Sequence, residues 1–186
     1  MKEPYRIKRL FWHNLKNFDK PGIHSFGVDE IIAAGVEFHM CDSCGHPKNL
    51  FIAANSDGDS SFYYEKDSAP GMGAIIGEHS KIFRHIINNL LNEAGDLTYN
   101  MECHKKLYQP PKLNFVTFFA LGHKGRFYKT LTYNEVHSRE HPYYPLFTYA
   151  KQLLSEMRKI EILRLNSKSK SKIVKKNKRT SKNPES

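Results

Sequence analysis

The stretch MCDSCGHPKN, residues 40–49, gathers the residue types that bind soft metals. Cys41 and Cys44 are separated by two residues and followed at once by Gly45 and His46. A C-x-x-C-G step is half of a tetrahedral zinc site: two thiolates at that spacing reach one ion. Two more N or S ligands are needed, and His46, Cys103 and His104 are the candidates. The expected metal set is therefore Cys41, Cys44, Cys103 and His104, and zinc is the one cofactor these residues suggest. The chain has no second C-x-x-C, so the plainer reading is a polar loop carrying two thiols.

The other chemistry-bearing patterns are weaker. PGMGAIIG, residues 70–77, stands ahead of a helix, where phosphate-binding loops occur. Its G-x-G-x-x-x-G spacing is not the dinucleotide fingerprint, and no Lys-Ser/Thr pair follows as in a P-loop. It reads as a connecting loop. His79 and His141 each follow a Glu near a helix start. A carboxylate there complements the helix dipole, which accounts for the Glu without catalysis. The histidines would serve as general bases only beside a cleft. No HExxH and no G-x-S-x-G motif is present. The DGD of Asp57–Asp59 resembles a fragment of a calcium loop but lacks the later ligands, so a turn is expected.

The strongest electrostatic feature is the C-terminus. Residues 164–186 hold nine Lys/Arg and one acid, Glu185, a net charge of +8. The chain carries +10 overall, so the other 163 residues hold 20 basic and 18 acidic side chains, or +2. Any charge-driven partner therefore meets the tail. Lys168, Lys170, Lys172, Lys175, Lys176, Lys178, Arg179 and Lys182 are the candidate nucleic-acid contacts. Such cations release counterions from a phosphate backbone, or meet an anionic membrane surface. Ser alternates with Lys, and Ile173 and Val174 are the only adjacent apolar pair after residue 165. A segment of that composition cannot offset the entropy of ordering, so residues 165–186 are expected to form a disordered basic tail.

The elements that must position these residues are legible from periodicity. Val36, Phe38 and Met40 alternate with Glu37, His39 and Cys41, the pattern of a half-buried strand over residues 36–41. Residues 50–54 and 61–65 read as two more strands around an Asp57-Gly58 turn. A helix is expected over residues 78–94, its apolar stripe made of Ile82, Phe83, Ile86, Ile87, Leu90 and Leu91, with Gly95 as its stop. Residues 97–103 alternate again, and residues 114–121 and 126–132 flank GHKG as a hairpin. A second helix is expected over residues 144–163, with Leu146, Ala150, Leu153, Met157 and Ile160 on one face and Pro142 and Pro145 at its start.

These elements predict an α+β fold: an antiparallel sheet of about six strands with two long amphipathic helices on one face. Residues 1–164 are expected to form a single domain, in which the first 30 residues add a helix or an edge segment whose Phe11, Trp12, Leu15 and Phe18 dock on the sheet. The order βββα occurs twice, over residues 35–95 and 96–164. Equivalent-looking pairs recur at offsets of 62 to 65 residues, Cys41 with Cys103 and Phe62-Tyr63 with Phe127-Tyr128 among them. An internal (βββα)x2 repeat explains this, as does coincidence of element order in one α+β domain.

Composition narrows the function. The chain has 186 residues, 39% of them hydrophobic, enough for one real core. No apolar run approaches the roughly 20 residues a membrane-spanning helix needs. The stretch MKEPYRIKRLFWHN has basic residues but no continuous apolar run, so a secretory signal is not expected, and three cysteines are too few for a disulfide framework. A cytoplasmic protein is expected, with KKNKR at 175–179 a nuclear address if the host has a nucleus. Three functional classes follow. The first is a non-enzymatic binding protein that engages nucleic acid through the tail, its body free to dimerise or hold a protein partner. The second is a small protein-interaction module, of inhibitor or immunity type, with a passive tail. The third is a zinc protein or enzyme built on the Cys41/Cys44 region. An enzyme is the least supported of these.

Overall fold

The computed structural model describes residues 31–41, 44–66, 69–76, 81–104, 109–122, 125–160 and 162. The expected helix or edge segment within residues 1–30 and the basic tail lie outside them.

The aromatic and β-branched runs form seven strands: β1 (Ile31–Cys41), β2 (Pro47–Asn55), β3 (Ser60–Lys66), β4 (Ala69–Ile76), β5 (Glu102–His104), β6 (Phe115–Gly122) and β7 (Gly125–Thr132). They make one sheet in the order β4-β3-β2-β1-β6-β7-β5, every neighbouring pair antiparallel. Six strands have seven residues or more, and the seventh, β5, has three. Among the described residues three helices accompany the sheet: α1 (Lys81–Asp96), the single-turn α2 (Tyr133–His137) and α3, residues 144–160. The α+β architecture with two long helices is therefore as the periodicity predicts.

The pairing of β1 with β6 joins the two halves of the sheet, running from Ile31↔Gly122 to His39↔Phe115 with an irregularity between Ile31 and Ala33. The halves do not share a strand order. In the first, β2 lies between β1 and β3. In the second, β7 lies between β6 and β5, so β5 never touches the strand that follows it in sequence. Cys103 on β5 thus sits at a sheet edge, whereas Cys41 ends the central strand. Strand order gives the proposed repeat no support.

One sheet face is packed by both long helices. Phe83, Ile86, Ile87, Leu90, Leu91 and Ala94 of α1, with Leu146, Phe147, Ala150, Leu153 and Met157 of α3, share a cluster with Ala34, Val36, Phe38, Ile52, Val116 and Phe118. These are alternate residues of β1, β2 and β6, as a period of two requires. Ile82, counted in the stripe from spacing, points outward and is 62% exposed. Gly95 does not stop α1, which continues to Asp96. The chain leaves the helix through a 3₁₀ turn at Thr98–Asn100, where the Thr98 hydroxyl donates to the Gly95 carbonyl at 2.7 Å.

Two expected elements are corrected. The glycine-rich residues 70–77, read as a connecting loop, lie mostly within the edge strand β4: Gly73 pairs Tyr63 and Met72 pairs Tyr64. The alternating residues 97–103 are a helix exit followed by the first two residues of β5. Leu97 and Met101 both face the core, but Tyr99 between them is 81% exposed.

Candidate functional site

Cys41 is the last residue of β1 and pairs in register with Pro47, the first of β2. Cys41 therefore closes β1, and Cys44 stands in the connection that leads into β2. Cys41, Cys44, Gly45 and His46 are all exposed, and the cysteines are thiols, not disulfides. Gly45 has φ +80°, in the left-handed region, and a Cβ built there would meet nothing within 4 Å. The glycine is needed for its backbone angle, not for space. The loop carrying residues 109–114 braces this end of the sheet. His39 Nδ1–H donates to the carbonyl oxygen of Pro111 at 3.1 Å, and the Asn114 N–H donates to the carbonyl oxygen of His39 at 2.7 Å.

The other two expected ligands are elsewhere. Cys103 pairs Phe127, Phe127 pairs Ala120, and Ala120 pairs Ala34. Cys103 thus lies three strands from β1, in the row of Ala34, seven residues before Cys41. At usual strand dimensions that is about 23 Å along the strand and roughly 14 Å across it. His104 neighbours Cys103 on the same short strand. One ion cannot take ligands at 2.0–2.3 Å from both places. The set Cys41, Cys44, Cys103 and His104 is corrected accordingly: it splits into a hairpin pair and an edge pair. Among the described residues, no group of three or more His, Cys, Asp or Glu is arranged to hold a metal.

The sheet face away from the helices holds what periodicity misses. Alternation places Glu37 on a solvated side, yet Glu37 is fully buried. It lies in a row that crosses the sheet as Tyr63, Phe51, Glu37, Thr117 and Thr130. Thr117 is also fully buried, and its hydroxyl bonds that of Thr130 at 2.9 Å. Ala33, Phe51, Ala53, Tyr63, Phe119, Leu121 and Tyr128 form a second apolar cluster on this face. A buried polar group needs partners, and Glu37 has interactions within the chain. No local signal marks Glu37, because its burial depends on what lies over a second face that the strand alone does not report.

The remaining motifs have structural roles. Asp57–Asp59 forms the β2–β3 turn: the Asp59 N–H donates to Asn55 Oδ1 at 2.9 Å, and Gly58 has φ +91°. His141 Nδ1 accepts from the Tyr143 N–H at 3.2 Å just ahead of α3, which commits that nitrogen to the helix start. His79 lies outside the described residues, as do Lys168, Lys170, Lys172, Lys175, Lys176, Lys178, Arg179 and Lys182. Tyr63 and Tyr128 are buried, and Tyr64 and Phe127 pack half-buried against the helix-side core. Tyr63 and Tyr128 thus have no open ring face, whereas Tyr64 and Phe127 stay partly exposed.

A capping box opens α2. Thr132-Tyr-Asn-Glu135 matches the S/T-x-x-E pattern, and both reciprocal bonds form. No family model and no curated protein sequence matches the chain. No helix among the described residues is long and apolar enough to cross a membrane.

Proposed function

We propose that the protein is a non-enzymatic nucleic-acid-associated binding protein whose contact is the basic C-terminal tail. The observation that carries this reading is charge segregation: +8 of the +10 net charge falls in residues 164–186. A nearly neutral, well-packed body supports it by leaving the electrostatic work to the tail. Binding is then dominated by phosphate neutralisation, with little sequence preference and a strong dependence on salt.

The test is a salt series with mixed-sequence DNA and RNA. It compares the full chain with a full-length variant carrying Lys175→Gln, Lys176→Gln, Lys178→Gln and Arg179→Gln. With six phosphate contacts the log–log slope is roughly −5, and losing four of those contacts brings it to about −2. Equal slopes for the two proteins, or no binding by either at physiological salt, would overturn the reading. A protein partner for the neutral body is then the reading to pursue.

A further inference from the structure

We infer that residues 1–30 cover the sheet face away from the helices, within the same chain. Ala33, Phe51, Ala53 and Phe119 on that face are fully buried, as are the polar Glu37 and Thr117. An antiparallel sheet with one uncovered face keeps that face solvated. Six fully buried residues there mean that a layer of chain excludes water from them. The described helices do not supply that layer. The buried apolar residues of α1, α2 and α3 all join the cluster on the opposite face, together with Ala34 and Ala54. The second cluster is made of strand residues alone. The burial belongs to one copy of the chain, so the cover is intramolecular.

Length, composition and chain position select residues 1–30 as the occupant. From Tyr63 on β3 to Tyr128 on β7 the second cluster crosses five adjacent strands, about 19 Å at usual strand spacing. The internal stretches outside the described residues have at most four residues each, too short for that span. Residues 163–186 are long enough but rich in Lys and Arg, with Ile173 and Val174 their one adjacent apolar pair. Burying that charge against aromatic rings is costly. Residues 1–30 carry Phe11, Trp12, Leu15 and Phe18, which recur at intervals of three and four as one apolar stripe. They end at Ile31, the first residue of the central strand β1, and Ile32 already packs against the second cluster. Charge agrees as well: Arg9 and Lys16 flank the stripe in sequence, and the face holds the buried carboxyl side chain of Glu37. The sheet is then the middle layer of three, with the helices on one side and residues 1–30 on the other. Nothing in this depends on the role of the basic tail.

The experiment is nuclear magnetic resonance on the full wild-type chain with labelled alanine methyl groups, so no substitution puts folding at risk. Neighbouring alanines report opposite faces: Ala33 and Ala53 belong to the second cluster, Ala34 and Ala54 to the helix side. The expected result is a set of nuclear Overhauser contacts from residues 1–30, led by the rings of Phe11, Trp12 and Phe18, to the methyls of Ala33 and Ala53. Ala34 and Ala54 should show none from that segment. Trp12 is the one tryptophan of the chain, so its indole signals are assigned without ambiguity. A sample mixing labelled and unlabelled chains should lose these contacts between the two, as an intramolecular cover requires. Contacts from residues 1–30 to Ala34 or Ala54 would overturn the inference. So would contacts to Ala33 and Ala53 from residues 163–186, contacts that persist between labelled and unlabelled chains, or no contact from residues 1–30 to either second-face methyl.

Discussion

The rings of Phe51 and Phe119 stack across an intervening strand, their centroids 5.3 Å apart and their planes inclined by 9°. Phe51 pairs Glu37 and Phe119 pairs Gly35, so the two rings approach diagonally over β1. They can do so because Gly35 has no side chain. A Cβ there would lie 2.6 Å from Phe119 Cε1 and closer still to the carbonyl oxygen of Ile52. The aromatic contact on the second face thus depends on a glycine in the central strand.

Gly35→Ala should therefore be destabilising. The phenyl ring could shift, but the carbonyl oxygen belongs to the neighbouring strand and cannot move without disturbing the ladder. Overpacking of this kind costs about 1–3 kcal/mol, offset in small part by the lower chain entropy of alanine in the unfolded state. A net loss of roughly 2 kcal/mol is expected, read as a lower urea midpoint at unchanged slope. A midpoint equal to wild type would show that β1 is not packed as described.

What the sequence makes legible is the part that periodicity controls. The Val36, Phe38, Met40 alternation and the Leu146, Ala150, Leu153, Met157 spacing each report one buried face, and both elements form with those residues inward. The strand β4 was not legible, because its pairing is written in its neighbour. Gly73 and Ala74 are small where Tyr63 and Phe62 across the ladder are large, and a small residue beside a glycine reads locally as loop. Glu37 was not legible for a related reason. Alternation names two faces but does not say that both are covered. The Cys103 pairing with Cys41 failed on topology: β5 docks on β7 at the sheet edge, and sequence spacing carries no information about strand order.

The Thr132–Glu135 capping box should contribute stability in a pH-dependent way. Glu135 Oε2 accepts from both the backbone N–H and the hydroxyl of Thr132, each at 2.7 Å. The Thr132 hydroxyl in turn accepts from the Glu135 N–H at 3.3 Å. The side-chain bond to Thr132, then the backbone bond, hold the Glu135 carboxyl below its usual value. A folded-state value below the unfolded one means that the stabilisation is present above the unfolded value, near 4.3. It is lost as pH falls through the depressed folded value. Thr132→Ala removes the cap and should cost about 1 kcal/mol at pH 7, with the gap to wild type narrowing below pH 4. Urea midpoints of both proteins at pH 7 and pH 3 check this, and a gap of the same size at both would refute the coupling to Glu135.

Tyr143 supplies the complementary alkaline prediction. Its ring lies 5.0 Å from that of Phe118, and the residue is 1% exposed. Its hydroxyl has no hydrogen-bond partner among the described residues. Burial, with a smaller contribution from Tyr99, pushes its pKa up from 10.0 to about 12. Above pH 10 the unfolded chain releases this proton while the folded protein retains it up to about 12, so the wild type loses stability across that window. Tyr143→Phe removes the titration and keeps the packing. At pH 7 the variant should match the wild type or exceed it by up to about 1 kcal/mol, since a buried hydroxyl without a partner is a cost. Between pH 10 and 12 the variant's advantage should grow, because the other tyrosines titrate identically in both proteins. A loss of more than about 1 kcal/mol at neutral pH, beyond the usual net worth of one hydrogen bond, would mean that the Tyr143 hydroxyl is bonded after all. A constant difference from pH 7 to 12 would mean that its proton is not held by burial.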